Sequence, residues 1–378
     1  MNHAARPWLV AALLGLLVLS PEAAHAGMTD AEVKAFEGYR AKAEKGDPVA
    51  QTNLGNSYAE GEGVAKDSVQ AVSWYRKAAE QGFAKAQYNL GVCYANGEGV
   101  AKDSVQAVSW YRKAAEQGDD YAQYNLGVCY AEGEGVAKDS VQAVSWYRKA
   151  AEQGFAQAQN NLGNSYANGE GVAKDSVQAV SWYRKAAEQG VDTAQYNLGN
   201  SYYNGEGVAK DFVQAVSWYR KAAEQGIAQA QNNLGNRYAS GEGVAKDFVQ
   251  AVSWYRKAAE QGDDYAQNNL GNSYASGEGV AKDFVQAVSW YRKAAEQGSS
   301  GAQNNLGYSY ANGEGVAKDE IEAYAYYNLA GITNEHARKN LAILEERMSP
   351  DARLLGQQRT KQLQKEIEAK MAAGNAGK

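Results

Sequence analysis

The sequence predicts an all-α solenoid of about eight 36-residue helix–turn–helix repeats with terminal caps. A Leu-Gly pair recurs at intervals of 36 residues from Leu54 to Leu306. A tryptophan keeps the same interval from Trp74 to Trp290, with Tyr326 in the eighth place. No stretch alternates between apolar and polar residues with a period of two, so no sheet is expected. The 378 residues are therefore expected to form one elongated array instead of two ordinary domains.

Residues 1–26 have the features of a secretory signal peptide. A basic residue precedes a largely apolar run from Trp8 to Leu19, and Ala24-His25-Ala26 is a small-x-small cleavage site. An uncleaved membrane anchor is the alternative, but the apolar run falls short of the ~20 residues that a spanning helix needs. We expect a periplasmic or secreted mature chain without stable membrane insertion.

The two ends of the mature chain differ from the repeats, as is typical of a solenoid. Residues 27–47 are expected to form an N-terminal half-repeat cap, because Tyr39 to Gly46 matches the second helix of a repeat that lacks its first. The repeat array is expected over residues 48–348. Residues 349–378 are expected to form a C-terminal capping helix, which begins at Ser349-Pro350, ends near Met371 and is followed by a frayed tail.

The first helix of each repeat is predicted from residues four apart. In the first repeat it runs from Pro48 to about Ala59 and buries Ala50, Leu54 and Tyr58. Gly55 allows another helix to approach closely, and Gly61-Glu62-Gly63 forms the turn that follows.

The second helix of each repeat has one apolar stripe. In the first repeat this stripe consists of Ala71, Trp74, Tyr75 and Ala78. Asp67 is placed to cap the first turn, and Gln70 completes the spacing of a capping box. Gly82 stands where the chain needs a left-handed backbone conformation.

The repeated unit resembles the Sel-one-like repeat, a relative of the tetratricopeptide repeat. The motifs L-G-x-x-Y, G-x-G-V-x-x-D and W-Y-x-K-A-A-E-Q-G carry the resemblance, as in Leu54 to Gly82, and it extends over about residues 39–348. Gln70 stands where the family commonly has lysine. The resemblance implies a right-handed α/α superhelix that acts as a scaffold or adaptor, with the first helices lining a concave groove.

One face of each first helix is predicted to be free for a partner. At about 100° per residue, positions 49, 52, 56 and 60 of the first repeat lie within about 80° of one another, opposite the apolar set. The repeats differ most along this face, and plain sequence drift is the alternative to a functional reason. Asparagine amides can donate to and accept from a peptide backbone or a sugar hydroxyl. We therefore hypothesise a groove that binds an extended segment.

The anchor of that segment is expected in the second and third repeats. Tyr88, Val92, Tyr124 and Val128 are predicted to form a contiguous aromatic and apolar patch, and tyrosine is a frequent interface anchor. The remaining candidate partner-binding residues continue along the same face; they are Asn160, Asn164, Tyr196, Asn200, Asn232, Asn236, Asn268 and Asn272.

Two further departures from the repeat are predicted to be structural. Cys93 and Cys129 occupy the same place in consecutive repeats, and helices about 8–10 Å apart cannot bring Cα atoms within the ~7 Å of a disulfide. Two separate, half-buried thiols are expected. Phe212, Phe248 and Phe284 replace a serine in repeats five to seven. We favour local packing for this row over a second interface for docking or dimerisation.

Composition excludes several classes of function. A net charge of −6 without a basic block does not indicate nucleic-acid binding. His336 is the one histidine after the signal, and no serine has a positioned base, so no catalytic, cofactor-binding or metal-ligating residue is predicted. The leading interpretation is a non-enzymatic, monomeric scaffold that binds a protein or extended peptide. A module that binds cell-wall glycan or peptide is the first alternative. A hydrolase of peptidoglycan-like or β-lactam compounds is the second.

Overall fold

The computed structural model describes residues 28–376, with the backbone alone for residues 373–376. The predicted signal peptide lies outside the described residues. Every regular element in the described range is an α-helix, and the chain divides into two units, Met1–Ala158 and Gln159–Lys378. The helices of the first unit are α1 (Asp30–Ala43), α2 (Pro48–Glu60), α3 (Ser68–Glu80), α4 (Ala84–Asn96), α5 (Ser104–Glu116), α6 (Asp120–Glu132) and α7 (Ser140–Glu152).

The division between the units falls inside α8 (Ala156–Asn168). The second unit continues with α9 (Ser176–Glu188), α10 (Asp192–Asn204), α11 (Phe212–Glu224), α12 (Ala228–Ser240), α13 (Phe248–Glu260), α14 (Asp264–Ser276), α15 (Phe284–Ala295), α16 (Ser300–Asn312), α17 (Glu320–Ala330), α18 (Glu335–Arg347) and α19 (Pro350–Ala376). In the first unit, each helix from α1 to α7 packs against the next. In the second unit the same holds from α9 to α17, and both α18 and α19 pack on α17. The predicted all-α solenoid is confirmed within each unit.

The boundary signals act as predicted, with one exception. The Asp67 carboxylate accepts from the backbone N–H groups of Val69 and Gln70, each at 3.0 Å, and Gly82 has a φ of 88°. The reciprocal half of the capping box is absent from this helix, so that part of the prediction is wrong. The backbone N–H of Asp67 donates instead to the carbonyl of Tyr58 at 2.8 Å, which leaves no donor for the Gln70 side chain.

The two helices of a repeat meet at a glycine. A Cβ built on Gly55 would lie 2.5 Å from Cε1 of Tyr75, so only glycine lets this ring reach the first helix. Leu54 is fully buried beside it. This is the close approach that the sequence predicts, and it recurs at Gly91, Gly127, Gly163, Gly199, Gly235, Gly271 and Gly307.

Buried glutamines join neighbouring parts of the core. Nε2 of Gln87 donates to the carbonyl of Ala79 at 3.1 Å, and its Oε1 accepts from Nε2 of Gln117 at 2.7 Å. Because both ends of the amide are paired, Gln87 can be buried at little cost. Gln123 is bonded in the same way by Ala115 and Gln153.

The C-terminal helix is longer than the sequence predicts. It continues past Met371 to Ala376, where a frayed tail was expected. Leu363 and Ile367 are buried against Tyr326 and Leu329 of α17. The helix α19 therefore covers the last apolar face of the second unit, as the sequence predicts.

Candidate functional site

The candidate asparagines form a ladder between neighbouring repeats of the second unit. Oδ1 of Asn236 accepts from the Tyr255 hydroxyl at 2.8 Å and from Nδ2 of Asn269, in the next repeat, at 3.2 Å. Oδ1 of Asn232 accepts from the same Nδ2 at 3.0 Å. The residues equivalent to Asn236 accept from a tyrosine and an asparagine in the same way; they are Asn164, Asn200 and Asn272. Their acceptor oxygens hold repeats together.

Two of the candidates are less accessible than the sequence predicts. Asn160 and Asn232 are each 8% exposed, and Thr52 at the same place in the first repeat is 1% exposed. The prediction of a free position is wrong here, because the period of one helix does not show that the next repeat covers it. Asn268 occupies the same place in its repeat and is half-buried. Its Oδ1 accepts from Nδ2 of Asn305 at 3.0 Å.

The other row of asparagines keeps a donor for a partner. Over the described residues, the Nδ2 groups of four asparagines donate no hydrogen bond, and none of them is a buried, unpaired donor; they belong to Asn164, Asn200, Asn236 and Asn272. Each amide can therefore donate one hydrogen bond to a carbonyl or hydroxyl from outside.

An aromatic cluster in the first unit joins the two tyrosines that the sequence singles out. We use the name aromatic cluster for Tyr88, Tyr121, Tyr124 and Phe155. The ring centroid of Tyr121 lies 5.7 Å from Tyr88 and 4.9 Å from Phe155, and Phe155 lies 5.1 Å from Tyr124. Tyr121 is 54% exposed, so the cluster presents aromatic surface to solvent.

Valines replace the asparagine ladder beneath this cluster. Val92 and Val128 are half-buried, and neither side chain can accept a hydrogen bond. The ring centroids of Tyr88 and Tyr111 lie 6.1 Å apart, as do those of Tyr124 and Tyr147. The four residues predicted as an anchor therefore stand together in the first unit. Tyr196, in the second unit, packs on Tyr219 at 6.1 Å and has no larger cluster around it in the described chain.

Sequence reasoning missed Tyr121 and Phe155. Tyr121 lies three residues before Tyr124, on the face that the helical period marks as free, and this signal could have found it. Phe155 lies in the turn before α8, where no helical period applies. Only the fold brings Phe155 between Tyr121 and Tyr124.

Two carboxylates border the aromatic cluster. Asp119 caps α6 by accepting from the N–H of Ala122 at 2.8 Å, and Asp120 accepts from the N–H of Tyr121 at 3.0 Å. Burial raises the pKa of the Asp119 carboxyl, and the bond from Ala122 opposes this shift. Burial also raises the pKa of Tyr88, with a smaller contribution from the Asp119 charge. The edge of the cluster near α6 is therefore acidic.

A polar pocket lies at the other end of the series, in the seventh and eighth repeats. It has a volume of about 490 Å³, and Asn272, Asn305 and Tyr308 are among its lining residues. Lys282 and Glu314 line it as well. Tyr308 is 49% exposed and stands where the other repeats of the second unit carry asparagine. An exposed ring beside amide groups can bind a sugar ring or a peptide.

The row of phenylalanines packs locally. Phe212, Phe248 and Phe284 are half-buried, and a lysine Nζ lies over each ring. The distances are 4.8 Å for Lys210, 4.5 Å for Lys246 and 4.6 Å for Lys282. The ring centroid of Phe212 also lies 5.5 Å from that of Tyr203, at the end of the preceding helix.

The cysteines are free in the structure. Cys93 is buried, more than predicted, and Cys129 is half-buried. Burial raises the pKa of each thiol to about 11. His336 is exposed in the first turn of α18. In the range 28–376, no cluster of three or more metal-ligating residues is present, and no helix has the length and apolar character to cross a bilayer.

Known proteins share the repeat and the fold. The Sel1 repeat model matches residues 48–83, 84–119, 120–155, 156–191, 192–227, 228–263, 264–299 and 300–331. The chain is similar to a protective antigen of uropathogenic Escherichia coli with an SLR fold, at 37% identity and a TM-score of 0.64, over 92% of this chain and 82% of that one. It is also similar to a Sel1 repeat protein from Oxalobacter formigenes, at 35% identity and a TM-score of 0.60, over 82% of this chain and 89% of that one. Among curated proteins, none matches the sequence.

These matches extend over most of the described chain and agree in sequence and in fold. Proteins built from this repeat generally act as non-enzymatic scaffolds for protein–protein interaction. The chain belongs to the Sel1 repeat family.

Proposed function

We propose that the mature chain is an extracytoplasmic, non-enzymatic scaffold that binds a protein partner as an extended segment along its first helices. The aromatic cluster carries this proposal. It is the place where Tyr88 and Tyr124, which break the repeat pattern, meet two further rings at the surface. An exposed group of tyrosines supplies contact area at low entropic cost and is a frequent interface anchor.

The asparagine ladder supports an extended partner. The free Nδ2 groups belong to successive repeats, so each can donate to a carbonyl of the same segment. Hydrogen bonds of this kind each contribute about 0.5–1.5 kcal/mol, which is less than a buried aromatic anchor. We expect the cluster to determine affinity in the first unit, and the asparagines to fix the direction and register of a segment along the second unit.

The test is a selection from a displayed library of short random peptides. The wild-type chain is expected to enrich a related set of peptides, and the double variant Tyr88→Ala/Tyr124→Ala is expected to lose them. Tyr265→Ala is the matched control, because Tyr265 is 68% exposed and has no aromatic neighbour in the described chain. Enrichment that survives the double variant, with both proteins folded, would show that the anchor lies elsewhere.

The location of the chain is part of the proposal. A signal at residues 1–26 would direct export and leave Gly27 at the new amino end. Mass spectrometry of the chain recovered from the periplasm or the medium is expected to give a mature protein that starts at Gly27. Recovery of the full-length chain from the cytoplasm alone would contradict export.

Glycan binding is the second candidate, and the pocket of the seventh and eighth repeats favours it. Asn272 offers an Nδ2 group without a hydrogen bond, and Tyr308 offers an exposed ring, around a volume of about 490 Å³. Purified peptidoglycan is expected to sediment with the wild-type chain and less with Tyr308→Ala. Equal sedimentation of the two proteins, or none of either, counts against this candidate.

A further inference from the structure

We infer that the aromatic cluster receives a cationic side chain, arginine or lysine, from the bound segment. This inference rests on the proposed function and adds the chemistry of the partner to it. In the aromatic cluster, the centroids of neighbouring rings lie 4.9–5.7 Å apart. Asp119 and Asp120 border these rings. Aromatic faces carry negative partial charge, so rings and carboxylates attract the same kind of group.

The carboxylates are held in place by the backbone. Oδ1 of Asp119 accepts from Ala122 and Oδ1 of Asp120 accepts from Tyr121, which leaves a second oxygen on each group. In the described chain neither aspartate forms an ion pair. A cation beside Tyr121 would therefore meet two oriented carboxylates whose charges are not already neutralised by contact.

Lys85, whose charge acts on Asp119, does not form an ion pair with it. The charge of Lys85 lowers the pKa of Asp119, which opposes the effect of burial, but no Lys85 nitrogen lies within 4.0 Å of a carboxylate oxygen. Lys85 stands in the second repeat where Tyr121 stands in the third. Asp119 and Asp120 carry two negative charges and Lys85 carries one positive charge, so these three groups together are negative.

The chain contains an internal comparison for this site. The sequence Asp-Asp-Tyr occurs twice, as Asp119-Asp120-Tyr121 and as Asp263-Asp264-Tyr265. Asp263 caps α14 as Asp119 caps α6, with a bond of 2.8 Å from Ala266. Asn232, Asn268 and Ser299 stand around the second copy where Tyr88, Tyr124 and Phe155 stand around the first. The second copy has the acidic group without the aromatic cluster.

An apolar partner side chain without charge would use only part of this surface. It would cover the rings but would desolvate the two carboxylates without pairing them, and this carries a cost. The aliphatic stem of arginine or lysine packs on rings while its charged end stays near a carboxylate. A basic residue therefore satisfies both halves of the site.

The experiment uses the same library of displayed peptides with two further variants. Asp119→Asn/Asp120→Asn removes both charges and keeps an oxygen that can cap α6. Asp263→Asn/Asp264→Asn removes the same charges from the second copy. Each peptide enriched on the wild-type chain is then synthesised twice, once with its arginine or lysine and once with glutamine in place of that basic residue. Fluorescence polarisation measures the affinity of both peptides.

The inference predicts that enriched peptides contain arginine or lysine beside an apolar residue. Asp119→Asn/Asp120→Asn, or glutamine in the peptide, is expected to weaken binding about five- to thirtyfold. Asp263→Asn/Asp264→Asn is expected to leave the affinity unchanged. Enrichment that depends on Tyr88 and Tyr124 but not on charge would overturn the inference and leave the proposed function standing. No enrichment at all would overturn both.

Discussion

Val92 and Val128 stand where most repeats carry an asparagine, and this exchange has a consequence at the scale of single residues. The valine gives no acceptor to the buried tyrosine below it, so the ladder is interrupted. Tyr88 and Tyr124 pack over that tyrosine, as Tyr196 packs over Tyr219 in a repeat that keeps its asparagine. Affinity for a partner and stability of the array are thus expected to lie in different repeats.

The ladder itself is expected to contribute to stability. Asn236→Ala removes the acceptor of both the Tyr255 hydroxyl and Nδ2 of Asn269. We expect a loss of about 1–3 kcal/mol in the free energy of unfolding, because two polar groups lose their partner. Urea denaturation measures this free energy of unfolding, and Gln250→Ala is the control because Gln250 is exposed. Equal midpoints for the two variants would show that the ladder does not stabilise the fold.

The cysteines are expected to react slowly. With a pKa of about 11, each thiol of the folded chain is deprotonated in about one molecule in a thousand at pH 8. Alkylation of the native protein should therefore be much slower than alkylation in urea, as followed by mass spectrometry. Rapid native alkylation, or a mass that rises by two hydrogens on reduction, would contradict the structure.

At this scale the sequence predicts which residues depart from the repeat. It does not predict the burial and the contacts of these residues. Position 52 was expected on a free face, yet Asn232 is buried because Asn269 of the next repeat reaches it. Phe155 escaped notice because it lies in a turn. Both failures concern contacts between repeats, which the period of one helix does not contain.

At the scale of helices, local signals were sufficient for most boundaries. Aspartate caps and glycine stops place α2 and α3 within one residue of their observed ends. The missing half of the capping box depended on the Tyr58 carbonyl, which comes from the preceding helix. The extension of α19 to Ala376 likewise follows from a helix that docks on a neighbour, which propensity alone does not predict.

The glycine between paired helices gives a test at this scale. A Cβ on Gly235 would lie 2.6 Å from Cε1 of Tyr255, so Gly235→Ala is expected to destabilise the fold by about 1–3 kcal/mol. A Cβ built on Gly38 in α1 would have no neighbouring atom within 4 Å. Gly38→Ala is the matched control and should stabilise by about 0.5–1 kcal/mol. Thermal melts of both variants measure these changes. Equal melting temperatures would contradict the close approach of Tyr255 to Gly235.

At the scale of the whole molecule, the buried tyrosines make stability depend on pH. Burial raises the pKa of Tyr183 and Tyr255 to about 12, and it raises the pKa of Tyr75, Tyr111, Tyr219 and Tyr291 as well. An unfolded tyrosine has a pKa of about 10. The folded state therefore holds these protons more tightly, and the resulting stability is present below about pH 10 and is lost as the pH rises toward 12.

Circular dichroism against pH, recorded together with tyrosinate absorbance, measures this effect. We expect loss of helix above about pH 10, with the buried phenols ionising as the chain unfolds. Ionisation of all tyrosines in one step near pH 10, with the helices intact, would contradict their burial.

The central claim is that the aromatic cluster anchors a protein partner, and one calorimetric titration tests it most directly. A peptide selected on the wild-type chain is titrated into that chain and into Tyr88→Ala/Tyr124→Ala, with the melting temperature of each recorded. The account predicts at least tenfold weaker binding, about 1.4 kcal/mol, for the folded double variant. Equal affinity for both proteins would contradict it.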